Sequence, residues 1–184
     1  MSTAKNILAA LRRCFSSTWF LIRNLSIVDS SFVYGKNLKI GYFNVIGPEV
    51  KVGDNVNIQN FVLLKSKTKI GNNCYIDSYF RSSGENKICN NVTLRFGSTI
   101  ARNVYVEDNV FISPNVMTIY SLPNGKKNTA TYIRSRAFIG TAAVIAPNVV
   151  IGTGCIIGAN SFVNESCYEK GVYAGNPAKI IRKL

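Results

Sequence analysis

The chain has 184 residues, 47% of them hydrophobic, which suits one domain with a continuous core. Its 22 Lys and Arg against nine Asp and Glu give a formal charge of +13, favouring anionic partners; the basic residues form no nucleic-acid motif, which argues against nucleic acid. Histidine is absent, removing the commonest general base and metal ligand, and five cysteines without a CxxC argue against a disulfide framework or a zinc site.

Residues 1–30 form the first unit. Within them Ile7 or Leu8, Leu11, Phe15, Trp19 and Ile22 recur at three- and four-residue spacing, and Lys5, Arg12, Arg13 and Arg23 add positive charge. The spacing predicts an amphipathic helix. Two roles stay open for it: a cap on whatever follows, or an interfacial helix resting on anionic lipid. No run approaches the ~20 apolar residues that span a bilayer.

From Ile40 to Ile112 every sixth residue is a bulky aliphatic in twelve of thirteen cases, Ser82 being the exception. The residue four places later is mostly small or β-branched, and Asn, Asp, Gly and Pro fill the space between. Neither a helix nor a flat strand has a period of six. A unit with one large and one small inward residue is a short strand plus a turn, and stacked units make a solenoid. On this reading Cys74, Cys155 and Cys167 are small buried hydrophobes.

The beat stops at Thr118 and resumes in a new phase, with Ile133, Ile139, Ile145, Ile151, Ile157 and Val163 on it without a miss. Residues 118–132 therefore read as a loop thrust out of the wall, a length that usually carries function. The solenoid is expected over residues 31–172. The remainder, 173–184, is expected as a tail with a short helix.

The hexads, the stretch IGTAAVIAPNVVIGTGCIIGANS and the ending GVYAGNPAKIIRKL resemble the hexapeptide-repeat acyltransferases, in the branch that acetylates sugars and antibiotics. The resemblance spans roughly residues 32–184. It implies an all-β fold, a left-handed parallel β-helix with three hexads per coil. It also implies a homotrimer with acetyl-CoA as co-substrate in a groove between subunits, and no metal. Gly140, Thr141 and Ala159 match positions whose backbone faces the pantetheine arm. Lys179 and Arg182 match positions where basic residues meet the CoA phosphates.

That branch usually carries a histidine beside the protruding loop, and this chain has none. Three readings follow. An amine acceptor with a pKa near ~8 attacks a thioester without a protein base. Alternatively another side chain serves a sugar hydroxyl, with Tyr120, Glu107 and Asp108 as candidates. Otherwise the chain is a non-catalytic scaffold or CoA-binding protein. The expectation is a cytoplasmic acetyltransferase, at most peripheral on the inner membrane face. It acts on an amino sugar, nucleotide- or lipid-linked, in bacterial surface-polysaccharide synthesis.

Overall fold

The structure is a computed structural model that describes residues 25–125 and 127–184. The expected N-terminal helix lies outside the described residues. Within them no α-helix occurs, and the chain winds as a parallel β-solenoid with three flat faces. Face one holds eight strands, from Ile27–Val28 to Phe162–Val163; face two holds seven, from Val33–Tyr34 to Val150–Ile151. Face three holds nine, from Lys39–Ile40 to the antiparallel terminal strand Lys179–Lys183. The first strand thus begins at Ile27, inside the segment assigned from sequence to the N-terminal unit.

Ile27 pairs with Val45 and Val45 with Leu63, so one coil is three hexads long. The register puts each hexad aliphatic directly above its predecessor. Ile58, Ile76, Ile112, Ile139 and Ile157 are all at most 1% exposed. The small partners four residues on, such as Val62, Val92, Ala143 and Cys155, are equally buried. A two-residue strand offers little by itself; burial of the stacked side chains, at about 1.5–3 kcal/mol each, supplies the stability.

The three edges turn through a residue in the left-handed backbone region. Among the described residues eighteen non-glycine positions have positive φ, and nine of them are Asn, the side chain that best tolerates it. Along the edge between faces two and three, Asn37, Asn55 and Asn73 each donate a side-chain amide to the Asn one coil on, ending at Asn91, at 2.9, 3.1 and 3.2 Å. Beside them, Lys36, Asp54, Asn72 and Asn90 each donate a backbone N–H to the Asp or Asn one coil on, at 2.6–2.9 Å. That edge is closed to solvent ligands by its own side chains.

Ser82, the one break in the beat, lies two residues from Phe80, a large ring at a position where small residues are the rule; both are buried. Ser82 Oγ lies 2.6 Å from Thr68 Oγ1 and donates to Asn86 Oδ1 at 2.5 Å, while Asn86 donates to the Ala101 carbonyl. The buried polar atoms are thereby paired, as burial requires.

The C-terminal helix expected within 173–184 is not formed. Gly171–Ala174 adds to face three parallel to Ile156–Ile157, and Lys179–Lys183 returns antiparallel along it. The open edge of a sheet demands backbone partners, and a returning strand supplies them. Ile180 fits because position 171 is glycine: a Cβ there would lie 2.8 Å from Ile180 Cδ1.

Candidate functional site

Phe111 pairs with Phe138 and not with Thr129, the position one regular coil on, so this coil is half as long again as its neighbours. The extra chain leaves the wall at the edge between faces one and two. Thr118 still closes a face-one strand and Thr131 opens one on face two, so the protrusion is 119–130, shorter than the expected 118–132.

The loop is tied down at its base. Asn128, 2% exposed, donates to the carbonyls of Arg102 at 2.7 Å and Asn103 at 3.2 Å. Its Oδ1 accepts from Thr131 Oγ1 at 2.9 Å and the Asn148 N–H at 3.1 Å. The Asn148 side chain in turn accepts from the backbone of Thr129 and Ala130 and donates to the Lys127 carbonyl. Further out, Ser121 and Lys127 form an antiparallel bridge, and Gly125 donates to the Leu122 carbonyl at 2.9 Å. Tyr120 lies partly exposed in this loop with the Arg102 guanidinium 6.0 Å from its ring.

Gly140, Thr141 and Ala159 stand on a different edge, between faces three and one. Gly140 is where the backbone comes close: a Cβ would sit 2.6 Å from the Ala159 nitrogen and the Ile157 oxygen. Thr141 and Ala159 are one coil apart and both exposed, joined by the Asn160 N–H donating to the Thr141 carbonyl at 2.9 Å. Lower on this edge two of the corresponding N–H groups are capped by the residue one coil on, whereas Ser78 donates to Asp77 Oδ1 at 2.8 Å and Phe96, with Pro114 one coil on, has no such cap. Tyr42 donates to Asn60 Oδ1 at 2.8 Å and Asn60 to Ser78 Oγ at 3.3 Å. At Thr141 the residue one coil on is Ala159, which has no acceptor. Among the described residues the N–H groups of Thr141 and Ala159 meet none. Two outward donors in a row on a small-residue edge suit an extended ligand with amide carbonyls.

Lys179 belongs to the same end of this edge. It pairs in register with Ala174, and Ala174 Cβ is 2.9 Å from where a Cβ on Gly158 would stand. Its ammonium lies 3.1 Å from Glu165 with both side chains well exposed, a pair worth little in water. Arg182 sits three residues further along the strand, opposite Val172, towards the edge between faces two and three. The structure thus groups Gly140, Thr141, Ala159 and Lys179 and sets Arg182 apart from them.

The carboxylates are committed elsewhere. Asp108, on the edge between faces two and three, accepts from the Asn90 backbone at 2.6 Å and its side chain at 3.1 Å. Glu107 accepts from Arg134 at 2.5 Å and from Ser135 at 2.9 and 3.0 Å. Burial pushes the Glu107 carboxyl up, but these hydrogen bonds outweigh it and hold the group below the usual carboxylate range. That is the wrong direction for a general base. Burial raises the thiols of Cys74, Cys155 and Cys167, the last to about 12. A thiol so shifted is a packing group, not a nucleophile. A shallow groove with Lys51, Lys69 and Lys87 along it lies on face two, on a different wall.

Sequence reasoning did not single out Asn128, Asn148 or the uncapped amides. Asn148 reads as an ordinary turn asparagine, and an unpaired N–H leaves no trace in residue type. The absence of Asn or Ser at 159, where Asn60 and Ser78 stand lower in the column, is the one signal that was available.

Residues 130–165 match the family model of the bacterial transferase hexapeptide (six repeats). The hexapeptide repeat is thus shown for that segment, about a fifth of the chain. Among solved structures, this hexapeptide-repeat chain is similar to a variant of AntD, an N-acyltransferase from Bacillus cereus, in complex with dTDP-4-amino-4,6-dideoxyglucose and coenzyme A. The two are 26% identical over 84% of each chain, with a TM-score of 0.58. Another variant of that enzyme, bound to dTDP and coenzyme A, is 25% identical over 82% of this chain and 83% of its own, at 0.57. The acetyltransferase domain of PglB from Neisseria gonorrhoeae FA1090, in complex with acetyl coenzyme A, shares the fold. It is 17% identical over 84% of this chain and 56% of its own, at 0.51. A comparison with curated proteins gives no match.

Proposed function

We propose that this chain transfers an acetyl group from acetyl-CoA to the amine of an amino sugar carried on a nucleotide. The supporting observation is the likeness, over 84% of both chains, to an N-acyltransferase bound to coenzyme A and a dTDP-linked amino sugar. The missing histidine agrees with it. An amine with a pKa of about 8 is partly unprotonated at neutral pH, and that fraction carries its own lone pair. Attack on the thioester carbonyl forms the N–C bond, expels CoA thiolate, and the proton leaves to water or to that thiolate. The protein then needs to position the two substrates and stabilise the oxyanion, for which one backbone donor is worth about 10²–10³ in rate.

Thr141 and Ala159 offer their N–H groups to the pantetheine amides, Gly140 keeps the approach open, and Lys179 meets phosphate. Arg182, further along the terminal strand, extends that basic end. Within one copy the loop 119–130 and this edge stand on opposite sides of face one, about 15 Å apart. A left-handed β-helix assembled as a homotrimer places the loop of one copy against the open edge of the next. The setting we favour is cytoplasmic synthesis of a bacterial surface polysaccharide.

The test is release of CoA thiol from acetyl-CoA with matched nucleotide-linked amino sugars and sugar alcohols, as a function of pH. We expect turnover with amines alone, and kcat/KM rising with pH along a single limb set by the acceptor's own pKa. Turnover of hydroxyl acceptors with an enzyme-borne pKa would assign a protein base instead. CoA binding without turnover on any acceptor would leave a scaffold.

A further inference from the structure

Face two concentrates its charge in one column. Lys51 pairs in register with Lys69, and Lys69 with Lys87, so three lysines point outward from successive coils. Paired strands stand about 4.8 Å apart, and like charges directly opposite one another destabilise a sheet. The solenoid does not require them, since the same hexad position on face three holds Asn57, Tyr75 and Thr93. All three are exposed, and among the described residues none of them forms an ion pair. With Lys67 they line a groove of about 480 Å³; of the two carboxylates at its rim, Glu49 and Glu85, the second already faces Arg102 at 3.9 Å. Above the lysines the column continues with Tyr105, in register with Lys87, and then Tyr132, the two rings stacked at 5.1 Å. Tyr132 lies in Thr131–Ile133, the strand into which the protruding loop runs. Loop, rings and lysines thus follow one another down a single wall.

We propose that Lys69 and Lys87 bind the diphosphate of the nucleotide that carries the acceptor sugar, and so select a carried sugar over a free one. This rests on the function proposed above. There the arm of CoA runs upward from Thr141, past Ala159 to Lys179, which leaves the acceptor the lower side of the loop. The loop edge and the open edge bound face one, so pairing them between copies turns face one inward and leaves face two accessible. Thr141 follows Tyr132 by nine residues, half a coil, and Tyr132 is two coils above Lys87. The drop along the axis is therefore about 12 Å to Lys87 and about 17 Å to Lys69. Rotational symmetry puts the neighbouring copy's open edge at the same height. The thiol end of the arm and the sugar ring fill the first part of that drop, and the diphosphate comes level with the lysines. Each ammonium offers it a charge-assisted hydrogen bond, and a bound anion offsets the repulsion within the column.

The variant is Lys69→Ala with Lys87→Ala. Both side chains point to solvent, so far-UV circular dichroism and Tm should be retained. With saturating CoA filling the Lys179 end, inorganic pyrophosphate is titrated into both proteins by calorimetry. We expect the wild type to bind it and the variant to bind it about 10- to 100-fold more weakly, the range for hydrogen bonds to a charged group. In turnover, kcat/KM for a nucleotide-linked amino sugar should fall by a similar factor. That for the matching free amino sugar, and KM for acetyl-CoA, should stay at wild-type values. Equal pyrophosphate affinity in the two proteins, or an equal fall for carried and free sugar, overturns the assignment and leaves the proposed function standing. Wild-type turnover of the free sugar as efficient as that of the carried one does the same. No wild-type turnover on any acceptor defeats the proposed function itself, and this assignment with it.

Discussion

The side chain one coil above a turn N–H decides whether that N–H is capped. Tyr42 and Asn60 donate their turn N–H groups to the side chain one coil above, whereas Thr141 finds only the methyl of Ala159 there. If the open amides bind the pantetheine arm, restoring the cap should disable binding and spare the fold. Ala159→Asn places an acceptor above Thr141 as Asn60 is placed above Tyr42. We expect Tm to be unchanged or raised, and KM for acetyl-CoA to rise ~10-fold, the equivalent of about 1.4 kcal/mol. Isothermal titration with CoA checks it, and unaltered affinity with an intact fold removes these amides from the site. The Asn at the turns and the aliphatics inside were legible from spacing, because each follows from a local requirement. The open N–H groups were not, because an absent acceptor is defined by a residue a whole coil away.

The loop shows the same division at the scale of an element. Its existence was visible as a break in the beat, and its limits were nearly so. That it is rigid at the base was hidden, since Asn128, Thr131 and Asn148 come together only when the wall closes beneath them. Asn128→Ala would take the side-chain donor from the Arg102 carbonyl and leave the Asn148 N–H and the Asn103 carbonyl held by Thr131 alone. A loss of about 1–3 kcal/mol and a Tm lower by several degrees are expected, read by calorimetry. Limited proteolysis should then cut within 119–130 well before the solenoid unfolds. The terminal segment shows the opposite case. Residues 179–183 carry Lys, Ile and Arg that a helix accepts readily, and the sequence predicts one. The exposed ladder at the end of face three decides for a strand, overriding a weak local preference.

At the scale of the whole molecule, one face separates the loop from the open edge, so under the proposed function one copy alone holds two incomplete halves. A complementation experiment follows. Copies with Ala159→Asn lack the edge, and copies with the loop shortened to a normal turn lack the loop. Assayed at acetyl-CoA well below the wild-type KM, the first should keep about a tenth of wild-type activity, in line with its ~10-fold higher KM, and the second should be inactive. Refolded together at equal amounts, they should regain roughly a quarter of wild-type activity, because a quarter of the junctions pair an intact edge with an intact loop. No recovery despite co-assembly, measured by mass, would show that the site is built within one copy. The lysine column of face two belongs to this scale too, since residues a whole coil apart come into line only after winding.

By itself the sequence determined the period, the inward residues, the turns and the place where the wall breaks. These rest on interactions repeated in every hexad and every coil, and repetition makes them readable without coordinates. Even the exception at Ser82 was visible, though not its remedy in the Thr68–Ser82–Asn86 contacts. Only the tertiary structure decided which edge stays open, how the loop is fastened and how the chain ends. Those outcomes depend on which backbone groups remain unpaired once every coil has found its neighbour, and that is a property of the stack, not of any hexad in it.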